Sequence, residues 1–162
     1  MAIVPFEELP PSARVWIFAS DRQLDGATAD TLLAAVDRFL ADWKAHGTPL
    51  RAARDWRDGR FLAVGVDVTA EQASGCSIDG LFRTLQQLER EVGSRLVGGG
   101  RVFYRTQAGI ETATREEFAE RIRQGEVARE TPLFDTSITG AADWRSRFEA
   151  PAGRGWAAEF FR

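Results

Sequence analysis

The chain has 162 residues, 44% of them apolar and 28% charged, with a formal net charge of −3, one cysteine and one histidine. That length suits a single domain, residues 1–162, burying roughly 70% of its unfolded surface without help from a disulfide or a metal, and a lone cysteine excludes an internal disulfide. A negative balance with no basic stripe argues against nucleic acid as a partner, and no run approaches the ~20 apolar residues of a membrane helix.

The first 18 residues carry two acids and three prolines. They lack the basic region and apolar stretch of a secretory signal. With a free thiol, this leads us to expect a cytoplasmic protein, with neither membrane nor nucleic acid among its partners and no cofactor. Residues 14–20, RVWIFAS, read as a strand that is apolar in both alternating sets and therefore covered on both faces. In DGATADTLLAAVDRFLADWKAHG, residues Leu32, Leu33, Val36, Phe39, Leu40 and Trp43 recur at helical spacing. Thr28 is the expected N-cap, and Gly47 and Pro49 the terminators. The segment PLRAARDWRDGRFLAVGVDVT reads as a hairpin about Asp58-Gly59, a pair that tolerates positive φ at both positions. SIDGLFRTLQQLEREVG is a second helix with Ile78, Leu81, Phe82, Leu85, Leu88 and Val92 on one side, and residues 101–106 form a fourth strand.

The order β-α-β-β-α-β predicts an α+β fold, a ferredoxin-like antiparallel sheet over residues 14–106 with two helices on one face. Residues 107–162 form a C-terminal extension. It holds a helix opened by a capping box of Thr114 and Glu117, an extended TPLFDTSITG, a short helix in AADWRSRF, and the large apolar side chains Phe134, Trp144, Phe148, Trp156, Phe160 and Phe161. We expect this extension to cover the other face of the sheet, a second subunit being the alternative cover.

That topology gathers the end of the first helix (His46), the end of the third strand (Asp67) and the start of the second helix (residues 74–79) at one rim. A helix N-terminus favours a thiolate and a helix C-terminus an imidazolium. Cys76 is thus a candidate nucleophile with His46 as base and Asp67 or Asp79 as orienter. Ser74, Gly75 and Ser77 are candidates for binding an anion through backbone N–H groups. The competing reading makes Cys76 a packing residue, His46 a cap on helix carbonyls, and Ser77 and Asp79 helix-start residues. Asp21, Arg22, Asp25 and Asp58 should meet at the opposite rim, where carboxylates suit Mg²⁺ or simply neutralise their neighbours. One cysteine and one histidine make zinc improbable.

RVWIFASDR, FLADWKAHG, ASGCSIDG, FDTSITG and GWAAEFF together are similar to a family of uncharacterised bacterial proteins of about this length, with ASGCSID the most distinctive piece. Members often carry the label "ABC transporter ATPase". This chain has no G-x-x-x-x-G-K-[ST] phosphate loop and no signature segment, so the label does not fit it. The resemblance implies no activity, cofactor or catalytic residue. Three readings follow in order: a binding or interaction module, in which a homodimer is one form; a thiol-dependent enzyme or small-molecule binder using Cys76 and His46; and a carboxylate–metal phosphotransfer enzyme.

Overall fold

The structure, a computed structural model, describes residues 3–162. A 3-10 turn at Phe6–Glu8 leads into β1 (Arg14–Ala19), α1 (Gly26–Ala41), β2 (Lys44–Ala45), β3 (Thr48–Pro49), β4 (Ala52–Arg57) and β5 (Phe61–Val66). Then come α2 (Gly75–Val92), β6 (Val102–Thr106), β7 (Gly109–Ala113), α3 (Arg115–Arg123), β8 (Pro132–Phe134), α4 (Ala141–Arg147) and β9 (Glu149–Pro151). Further 3-10 turns close the chain at Ala152–Arg154 and Trp156–Phe161. Two compact units result. One takes the chain up to Gly99 together with Ile138–Trp144; the other takes Gly100–Ser137 and Arg145–Arg162.

In the first unit an antiparallel sheet runs in the order β1-β5-β4. Asp58 (φ 58°) and Gly59 (φ 64°) make the left-handed two-residue turn that joins β4 to β5, as their residue types demand. One set of alternating side chains (Trp16, Phe18, Trp56, Leu62, Val64, Val66) packs in a core with Leu32, Val36 and Leu40 of α1 and Leu81, Leu85 and Leu88 of α2. The second face is also covered, by two separate segments. A Cβ built on Gly65 would lie 2.6 Å from Leu9 and 3.3 Å from Phe6, so the N-terminal segment rests directly on β5. Trp144 is fully buried: its indole N–H donates to Asp55 Oδ2 at 2.8 Å, and the Arg57 guanidinium sits 4.0 Å from its ring.

The α+β class holds, but the strand order is not the expected one. The fourth strand, β6, does not complete the first sheet; it pairs with β7 and β8 in a second-unit sheet ordered β7-β6-β8-β9. The reason is local. Thr106 Oγ1 accepts the Ala108 N–H and donates to Gly109 O, both at 3.1 Å, closing a tight turn that hands β6 a hairpin partner in GIETA. Closing a two-residue loop costs far less entropy than a long crossover to β1. Two boundaries also moved. Asp25, not Thr28, caps α1, because its carboxylate is the stronger acceptor and takes the Thr28 N–H at 2.8 Å. That helix ends at Ala41, and Gly47 (φ 79°) instead shares the β2–β3 turn with His46 (φ 52°).

The second unit's core joins Val102 and Tyr104 of β6, Phe118 of α3, and Val127 and Leu133, with Trp156, Phe160 and Phe161 packed against it. The capping box of Thr114 and Glu117 opens α3 as the sequence implies.

Candidate functional site

The start of α2 is held by a second capping box. Ser74 Oγ accepts the Ser77 N–H at 3.1 Å, and Ser77 Oγ lies 3.3 Å from the Ser74 N–H, which it accepts. The buried Ser77 hydroxyl also donates to Lys44 O at 2.6 Å, and the Trp43 indole N–H donates to Ser77 O at 2.8 Å. The segment after α1 and the first turn of α2 are therefore latched together.

Within that rim the expected site residues do different work. Cys76 is exposed in the first turn of α2, and His46 is exposed at the β2–β3 turn. Neither side chain makes a hydrogen bond or an ion pair among the described residues, so no bond joins thiol and imidazole. Asp67 is buried; its Oδ1 accepts from Thr69 Oγ1 (2.6 Å) and Thr69 N (3.0 Å), while Oδ2 faces Arg51 at 3.5 Å. These contacts, the Thr69 hydroxyl first, hold its carboxyl below the usual range. Asp67 thereby fixes the turn after β5 rather than orienting His46. Asp79 is exposed, and its carbonyl accepts from Arg83 Nε at 3.4 Å. Ser74 and Ser77 are not an anion cradle: the Ser77 N–H is spent on the cap, and both hydroxyls are engaged. Gly75 alone of the three is exposed.

At the opposite rim Asp25 caps α1, and Arg22 donates to Val92 O (2.8 Å) and Gly93 O (2.9 Å), closing the C-terminus of α2. Among the described residues no group of three His, Cys, Asp or Glu side chains is placed to hold a metal ion.

The feature that sequence reasoning missed is a cleft of about 520 Å³ in the first unit. Its apolar wall is Trp16, Val68, Ala73 and Ile78, all half-buried, and Thr139 and Gly140 of the returning segment edge it. Arg14 is exposed there with its guanidinium 5.0 Å from the Trp16 ring centroid, and it makes no hydrogen bond or ion pair through its side chain among the described residues. Trp16 in turn meets Trp43 edge-on at 6.1 Å, tying the cleft wall to the α2 latch. Alternation in RVW puts Arg14 and Trp16 on one side of β1, which was a readable signal; the other lining residues come from distant segments and left none.

The outer edge of β1 borders this cleft. At its start the returning segment bridges Arg14 to Gly140: Val15 N donates to Thr139 O at 2.8 Å, and Ala141 N donates to Ala13 O at 3.0 Å. At its end Asp21 N donates to Arg95 O at 3.2 Å. Between these clamps the outward N–H and C=O groups of Ile17 and Ala19 have no backbone partner among the described residues. Comparisons with protein-family models, curated proteins and solved structures found no match to this chain.

Proposed function

We propose that the chain is a binding module that takes its ligand in the Arg14–Trp16 cleft of the first unit. The observation that carries this reading is a guanidinium with no ion-pair partner among the described residues, held over an indole at the mouth of a cleft whose wall is apolar at Trp16, Val68, Ala73 and Ile78 and polar at Gln72 and Asp143. Recognition sites pair an apolar lining with a few placed polar groups in this way, and an arginine stacked on a ring is pre-organised for an anion. The ligand class is then one with an anionic group joined to an apolar body.

Anilinonaphthalene sulfonate is a probe of that class. A fluorescence titration should find one site, weakened severalfold by Arg14→Ala and removed by Ala73→Trp, which fills the cleft. Equal binding to native protein and both variants overturns the reading. The thiol-dependent alternative has one observation in its favour, the exposure of Cys76 on the first turn of α2. If binding is the function, alkylation of Cys76 with iodoacetamide leaves the titration unchanged; loss of the site on alkylation would move the assignment to the thiol.

A further inference from the structure

We propose that the cleft receives the C-terminal end of an extended peptide, which adds antiparallel to the open edge of β1 and places its terminal carboxylate on Arg14. The proposal rests on the cleft being the binding site and names its occupant. Three observations converge. First, β1 already accepts a strand-like partner on this edge, since the returning segment forms an antiparallel bridge there and then leaves, so the outward backbone groups of Ile17 and Ala19 have no partner among the described residues. Edge strands are usually blunted by charge, proline or a bulge, and residues 15–19 (VWIFA) carry none of these.

Second, the blocked end sets polarity. A peptide residue opposite Ile17 or Ala19 exchanges both backbone hydrogen bonds with it. One place beyond Trp16 the line is occupied by Thr139, whose carbonyl already takes the Val15 N–H. An added strand must therefore end opposite Trp16. In the antiparallel sense that is the C-terminal end of the strand, and a chain that stops there brings its carboxylate to Arg14, which has no ion-pair partner among the described residues; in the parallel sense it is the N-terminal end, and an ammonium would meet the same cation. A second copy of β1 paired about Phe18 would carry its Asp21 to the place opposite Val15, which Thr139 already holds.

Third, directly opposed residues on neighbouring strands share a face. The last peptide side chain falls on the Trp16 side of the sheet, beside the apolar wall of Val68, Ala73 and Ile78. A Val, Leu, Ile or Phe end suits that wall, and the mode is strand addition with a side-chain pocket.

The test uses fluorescein-labelled octapeptides, their last four positions randomised over Val, Leu, Ile and Phe, made with a free C-terminal carboxylate or as the amide. On the full chain, anisotropy should show the acid pool binding about tenfold more tightly than the amide pool, the scale of one charge-assisted contact. Arg14→Ala should equalise the two pools, and Arg14→Lys should keep the preference. The Ile17 and Ala19 amides should gain hydrogen-exchange protection only with peptide present. Equal binding of acid and amide to the native protein, no binding of either, or binding without protection at Ile17 and Ala19 overturns the proposal. Concentration-dependent protection of those amides without peptide overturns it too, in favour of a second copy. If anilinonaphthalene sulfonate still occupies the cleft in any of these cases, the cleft survives as a binding site and only the peptide falls.

Discussion

Gly65 is the position at which the central strand of the first unit has least room to change. Any side chain there meets Leu9, 2% exposed, which has no solvent to swing into. Gly65→Ala should lower stability by about 1–2 kcal/mol through overpacking, read as a shift in urea midpoint without change of slope. The carboxyls of Asp25 and Asp67, with those of Glu117 and Glu120, contribute to the acid limit. The Thr28 N–H lowers the first and the Thr69 hydroxyl the second, each below an ordinary value near 3.8. Each therefore adds stability that is complete above the unfolded value and drains away as pH falls through the depressed folded one. Urea midpoints should hold flat from pH 7 to pH 5 and fall below pH 4, and an Asp25→Asn, Asp67→Asn double variant should show the shallower fall. At this scale the sequence names Cys76 and His46 as chemically distinct residues. Rarity of a residue type carries no information about its neighbours, and among the described residues both side chains stand without a bonded partner. Arg14 escaped notice because its distinction is the lack of an ion-pair partner among the described residues, which only packing reveals.

The latch between the residues after α1 and the start of α2 rests on Ser77, which serves both a cap and a carbonyl on another segment. Ser77→Ala strands the Lys44 carbonyl and half the capping box, so a loss of about 1–2 kcal/mol is expected. Ser74→Ala, which removes the cap acceptor and the contact between the two hydroxyls but leaves the Ser77 bond to Lys44 O, should lose about 1 kcal/mol; guanidinium midpoints of the two variants measure the difference. Elements whose signals are local read clearly in the sequence: the Asp58-Gly59 turn, the Thr114–Glu117 box and the apolar stripe of α2 each lie within a few turns of chain. The end of α1 did not, because Trp43 continues the apolar spacing after the helix stops and is buried by a different contact, its indole bond to Ser77. Nor did β7: GIETA is short and weakly alternating, and its existence diverts β6 from the sheet that the β-α-β-β-α order otherwise implies.

Over the whole molecule the decisive fact is that the first unit is discontinuous. Trp144 and the Thr139 carbonyl reach it only after the chain has passed through residues 100–137. A chain ending at Gly99 should accordingly unfold at lower urea than the full chain, and a synthetic peptide of residues 136–146 should recover part of the difference in a concentration-dependent way. A single bridge between Arg14 and Gly140 leaves no periodic trace, so the aromatic-rich tail announced that it covers something without saying which part returns. The same discontinuity bears on biosynthesis. A ribosome adding about 5–20 residues per second must lay down ~45 more residues after Gly99 before Trp144 exists to donate its indole N–H to Asp55. For those few seconds the nascent first half waits with one face of its sheet partly bare, and exposed apolar surface of that kind is prone to aggregate until the last piece is translated.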